Sequence, residues 1–169
     1  MAQRQKSKEG SLSRIIIYCD GAARGNPGPA GIGAVLTDER GRELARVQEY
    51  IGRATNNQAE YKALIRALRR AAAWDAQDVE IRADSELLVR QLREEYRVRN
   101  PALRKLWQEV KNLLRPYRAV RIVHVPRHEN YLPDTLANAA IDNRQKHITT
   151  RGTREAKFPS PKRQSGQEV

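Results

Sequence analysis

Four carboxylates in this chain stand where the periodicity of their neighbours asks for no acid: Asp20, Glu60, Asp84 and Asp134. Asp20 ends the apolar run "RIIIYCD", and Asp84 follows "VEIRA". Glu60 precedes Ala63 and Leu64 by three and four residues on an apolar helical stripe, and Asp134 follows Pro133 at the start of the last helical segment. Each has an ordinary reading by itself. Asp20 would be an Asp-Gly turn, Glu60 a first-turn acid, and Asp84 and Asp134 helix-start residues facing the dipole. Together they suggest a site. If the first and fourth strands are parallel neighbours, Asp20 and Asp84 leave the sheet at one edge, where open α/β sheets bind ligands. Carboxylates brought together there cannot all ionise cheaply unless a cation joins them. Hard oxygen donors, with one cysteine and three histidines in the whole chain, suit Mg2+ or Mn2+ better than zinc.

The elements that must position these acids follow from apolar period and turn chemistry. Residues 14–20 read as a short buried strand, 31–37 as a second and 43–51 as a third, with "DERG" as the hairpin turn between the last two. "TNNQAEYKALIRALRRAAAW" changes to helical period, placing Ala63, Leu64, Ala67, Leu68 and Ala71 on one stripe. Thr55, Asn56 or Asn57 can cap its start. A fourth strand at 78–83 leads to a helix at 85–95, with Leu87, Leu88 and Leu92 inward. A third helix spans 101–114, begun by Asn100-Pro101, and a fifth strand spans 119–125. The last helix runs from about 133 to 143. The order βββαβααβα predicts an α/β fold with a mixed five-stranded sheet and helices on both faces.

The 169 residues suit one domain. Of the net charge of +12, residues 1–14 carry +3 and residues 144–169 carry +5, so most of the excess lies on two polar ends. We expect a disordered basic leader at 1–13, a folded unit at 14–143 and a flexible basic tail at 144–169. Such ends attract polyanions through counterion release without reading sequence. The single cysteine, Cys19, rules out an intramolecular disulfide and reads as a small buried hydrophobe. There is no apolar run of membrane-spanning length and no apolar signal region, which points to a cytoplasmic chain without a membrane partner.

The segments "YCDGAARGNPGPAGIGAVL", "TNNQAEYKALIRAL", "ADSELLVRQL" and "HVPRHENYLPDTLANAAID" stand in the order, and on the elements, of a type 1 ribonuclease H. The chain resembles that family over residues 15–141, in a short form without the basic handle helix that some members insert. The resemblance implies a ribonuclease H-like fold. It also implies an endonuclease that cuts the RNA strand of RNA/DNA hybrids and leaves 3′-hydroxyl and 5′-phosphate ends. By the same resemblance Asp20, Glu60, Asp84 and Asp134 form an acidic tetrad around two divalent ions, Mg2+ or Mn2+. The family's mobile histidine falls on His128, although the spacing of longer-looped members would reach His124. His128 is preferred, because a proton-transfer group must reach the substrate. Asn26 matches a contact to the DNA backbone, Arg53, Thr55 and Asn56 match a DNA-phosphate pocket, and Asn57 and Gln58 fall near the minor groove. We expect a monomer with the hybrid as its partner. Two other readings stay open: an inactive module that binds hybrid or double-stranded RNA, and a same-fold nuclease that also cuts double-stranded RNA.

Overall fold

A computed structural model describes the backbone of residues 12–155 and the side chains through Arg144. Strands β1 (Arg14–Ala23), β2 (Gly28–Thr37) and β3 (Glu43–Ala54) form an antiparallel meander. Helix α1 (Asn56–Ala71) leads to β4 (Asp78–Ala83), and α2 (Glu86–Leu92) and α3 (Pro101–Leu114) lead to β5 (Ala119–His124). Helix α4 (Tyr131–Glu155) comes last. The sheet order is β3-β2-β1-β4-β5, with β4 parallel to both β1 and β5. The expected mixed five-stranded sheet is therefore present.

Strand alternation sorts β1 between two environments. Ile15, Ile17 and Cys19 are fully buried in a core shared with Leu64 and Leu68 of α1 and with Val79 and Ile81 of β4. This layer is completed by α3, which packs against α1. The intervening residues of β1 point to the other face, where α4 crosses β2 and touches β1 and β3. Among the described residues no helix is long and apolar enough to cross a membrane.

Two glycines set how closely the helices approach the sheet. A Cβ on Gly33 would lie 2.1 Å from the Pro133 carbonyl oxygen and 2.8 Å from the Ala137 nitrogen. A Cβ on Gly21 would lie 2.2 Å from the Ala59 carbonyl carbon and 2.4 Å from the Glu60 nitrogen. Helix backbone thus rests directly on strand backbone at both places. Gly33 is also the register partner of Asp20, so α4 is seated beside that acid.

Several element limits differ from the sequence expectation. Strand β1 continues three residues past Asp20, because Gly21, Ala22 and Ala23 keep pairing with Ile32, Gly31 and Ala30. Ladder pairing outweighs the local turn preference of Asp-Gly, and the turn proper comes at Gly25, where φ is +104°. Strand β2 accordingly begins at Gly28, and β3 runs on to Ala54 across a register shift. Helix α2 stops at Leu92 and buries Val89 where Leu87 was expected. Strand β5 stops at His124, and α4 begins at Tyr131 and passes Asn143. Residues 1–11 of the expected leader and 156–169 of the expected tail lie outside the described residues.

The seating of α4 can be tested at Gly33. Gly33→Ala forces a methyl group into the Pro133 carbonyl, so urea denaturation should show a loss of roughly 2–3 kcal/mol. Unchanged stability would mean that α4 does not rest on β2.

Candidate active site

The parallel register of β1 and β4 ends at Tyr18 and Arg82. Beyond that pair the strands part, β1 continuing with β2 while β4 turns into α2. Asp20 and Asp84 stand two residues further along, level with one another on the two sides of this opening. A parting of neighbouring strands at their carboxyl ends is where open α/β sheets form ligand crevices. Asp84 is not the cap of α2: that role belongs to Ser85, whose Oγ accepts from the Leu88 N–H at 3.2 Å.

The other two acids arrive on helices. Thr55 and Gln58 form a reciprocal capping box at the start of α1, and Gly21 lets the Ala59–Glu60 peptide close on β1. Asp134 lies in the first turn of α4, where its carboxylate accepts from Asn138 Nδ2 at 3.0 Å. All four acids line one open cavity of about 490 Å³. Asp20, Glu60 and Asp84 each offer an oxygen within 4.8 Å of the other two.

The charges in this cavity are not balanced by the protein. Burial pushes Asp20 from its ordinary 3.8 up to about 7, and the charge on Asp84 adds to the shift. Burial likewise raises Glu60 well above the usual carboxylate range, with the Asp20 charge as the next cause. Glu60 Oε2 is buried with no hydrogen-bond partner. A lone pair buried without a donor, in a set of hard oxygen donors, is what a divalent cation satisfies. Asp20, Glu60 and Asp84 fit such an ion, and Asp134 stands beside Asp20 on the same wall.

Three residues of this site escape sequence reasoning. Asn130 is fully buried, and its Nδ2 donates to the Asp84 carboxylate at 3.1 Å and to the Cys19 carbonyl at 2.9 Å. It ties β1 at Cys19 to Asp84 and restricts how that carboxylate can turn. Arg127, on the short 3-10 turn Arg127–Glu129, is the one basic side chain among the described residues lining the cavity. Asn138 lies one helical turn after Asp134. The only signal for Asn130 in the sequence is a polar residue between strand and helix, which a cap would explain equally well.

The expected substrate residues fall into two groups. Asn26, Thr55, Asn56 and Gln58 come together where the β1–β2 turn meets α1. Asn26 Oδ1 accepts from the Asn56 N–H at 3.1 Å, and Asn56 Oδ1 accepts from the Ala23 N–H at 3.1 Å. Asn56 also lines the acidic cavity. Arg53 and Asn57 are exposed just outside this knot. His128 is exposed on the 3-10 turn next to Arg127 and does not line the cavity. His124 places Nε2 3.1 Å from the Asp84 carbonyl oxygen.

Residues 18–140 match the family model described as reverse transcriptase-like. Ribonuclease HI of Halobacterium salinarum is 46% identical over 130 residues, covering 77% of this chain and 65% of that protein. The chain thus spans less than two thirds of that relative's length. The crystal structure of RNase H1 from the same archaeon matches with a TM-score of 0.75, over 77% of this chain and 98% of that one. LC11-RNase H1, isolated from compost, was crystallised in complex with RNA/DNA hybrid. It is 46% identical, with a TM-score of 0.74 over 78% of this chain and 99% of that one. With this fold, the four converging acids and nearly full coverage of both solved relatives, the chain belongs to the type 1 ribonuclease H family.

Proposed function

We propose that the chain is a metal-dependent endonuclease that hydrolyses the RNA strand of RNA/DNA hybrids and leaves 3′-hydroxyl and 5′-phosphate ends. The observation that carries this reading is the convergence of Asp20, Glu60, Asp84 and Asp134 on one cavity. The hybrid bound to a relative of 46% identity supports the substrate. Two divalent ions, Mg2+ or Mn2+, would activate the attacking water and stabilise the leaving 3′-oxygen. Asp20, Glu60 and Asp84 would hold the first ion, and Asp134 would complete the second site with Asp20.

The chain's own groups do the remaining work. Asn130 holds the Asp84 carboxylate in one orientation from behind. The backbone of Gly21 and Ala22, on the cavity wall beside Glu60, would be where a ribose 2′-hydroxyl is read. That hydroxyl is the group by which RNA differs from DNA at a given position. Asn26, Thr55 and Asn56, with Arg53 beside them, would take a phosphate of the uncut DNA strand, and Asn57 and Gln58 would face the minor groove. His128 is free to carry a proton to or from the reacting centre, whereas His124 is engaged with the backbone of Asp84.

Matched hybrid, duplex RNA and duplex DNA, each incubated with Mg2+ or Mn2+, test the activity. Only the hybrid should be cut, and Asp20→Asn should slow cleavage roughly a thousandfold. Equal binding of all three without cleavage would leave an inactive binding module instead. His128→Ala should lower kcat about tenfold to a hundredfold with little change in KM.

Metal-free stability gives a second test. The folded state holds a proton on Asp20 to about pH 7, whereas the unfolded chain releases it near 3.8. The stability this contributes is full below the unfolded value and is lost as pH rises through the folded one. In EDTA at pH 8, Asp20→Asn should therefore be more stable than the parent by roughly 4 kcal/mol, a gain that nearly vanishes near pH 4. Mg2+ should raise the melting temperature of the parent and not of the variant. A variant less stable than its parent in EDTA at pH 8 would remove the repulsion argument.

A further inference from the structure

A second cavity, of about 600 Å³, lies away from the acids, where residues 93–100 join α2 directly to α3. Its rim carries Arg97, Arg99 and Arg104, all exposed. Arg66, Arg69, Arg82, Arg90 and Arg118 each meet a carboxylate. The three rim arginines make no ion pair among the described residues, not even with Glu94 on the same rim. Tyr96 lines the same cavity with 47% of its surface exposed, and the Arg90 guanidinium lies 5.2 Å from its ring centroid. Val98 and Trp107 form an apolar wall, the indole being anchored through Nε1 to the Gln91 carbonyl at 3.1 Å.

These features together fit a nucleotide better than a duplex. Cations on a convex surface suffice to meet the phosphates of a double helix, and a concavity adds nothing there. A cavity of this size, with an exposed aromatic ring and unpaired guanidinium groups, matches a base taken out of the stack together with its flanking phosphates. The location also suits a strand leaving the cleavage site. Asp84 precedes α2 and the groove lies at that helix's other end, about 10 Å along its axis, or three base steps.

We propose that this groove binds an unpaired nucleotide of a single-stranded segment adjoining the hybrid, with its base on Tyr96 and its phosphates on Arg97, Arg99 and Arg104. The inference rests on the hybrid-hydrolase reading for its setting, but the groove's affinity for a single strand can be measured without cleavage. It gives the enzyme a preference for hybrids that end in an unpaired extension.

The test pairs fluorescence anisotropy of an end-labelled short oligothymidylate with cleavage of two hybrids, one blunt and one carrying a single-stranded extension. Tyr96→Ala should weaken oligothymidylate binding about tenfold. Replacing Arg97, Arg99 and Arg104 together by Ala should flatten the salt dependence of log K by about 2. Removing three exposed cations elsewhere, Arg40, Arg70 and Arg115, should do neither. Both groove variants should cut the blunt hybrid like the parent, which also reports that they fold, and should lose the parent's lower KM for the extended hybrid. Equal losses on blunt and extended hybrids would make the groove a duplex clamp and overturn the proposal. Unchanged oligothymidylate binding would overturn it too, as would tighter binding of an oligoglutamate peptide. A parent that cuts neither hybrid would count against the hydrolase reading alone, with the anisotropy result still deciding the groove.

Discussion

Two contacts between bare backbones hold the site together. At Gly21 the Ala59–Glu60 peptide of α1 lies against β1, and at Gly33 the Pro133–Ala137 stretch of α4 lies against β2. The glycines sit on opposite faces of the sheet, one residue away from Asp20 in the chain or paired with it across the ladder. A methyl group at either position would push its helix off the sheet and carry Glu60 or Asp134 away from Asp20. The four acids need not share an element to meet. They need two helices to sit as low on the sheet as chain geometry permits.

The meeting is electrostatically unfavourable on its own. Asp20 and Glu60 are raised by burial first and by neighbouring carboxylates second, and Arg127 is the sole positive side chain on the cavity wall among the described residues. What resists the repulsion is packing. The same strand that presents Asp20 upward sends Ile15, Ile17 and Cys19 down into a fully buried layer with Leu64, Leu68, Val79 and Ile81. Apolar burial of that kind stabilises by about 25 cal/mol for each Å² removed from water, enough to hold a small charged cluster in place until a cation relieves it. A site that binds metal well is in this way a site that folds less comfortably without it.

The two cavities use charge in opposite senses. The acidic one concentrates negative groups where a hard cation is wanted, while the groove beyond α2 leaves arginines without partners where a polyanion is wanted. Between them α2 is only seven residues long, so a strand passing the first cavity comes within reach of the second. The absence of any helix between α2 and α3, among the described residues, is what opens that groove.

Much of this was legible in the sequence, for reasons that are local. Strand and helix periods, a cap at Thr55, Asn56 or Asn57, the core stripe of α1 and the odd placement of the four acids all depend on residues within a few positions of one another. The chain order βββαβααβα then restricts the topology, because short hairpins make antiparallel neighbours and helical crossovers make parallel ones. Tertiary contact decided what local preference could not. Strand β1 outran the Asp-Gly turn because β2 kept offering ladder partners at Ile32, Gly31 and Ala30. Asn130 became the support of Asp84 because the fold buries its amide between the Cys19 carbonyl and the Asp84 carboxylate, and it donates to both. Arg127 joined the acidic wall, and Arg97, Arg99 and Arg104 gathered around one groove, through the turns of the fold. Which side chains share a cavity is a property of three-dimensional packing, and residues far apart in the chain carry no local signal of it.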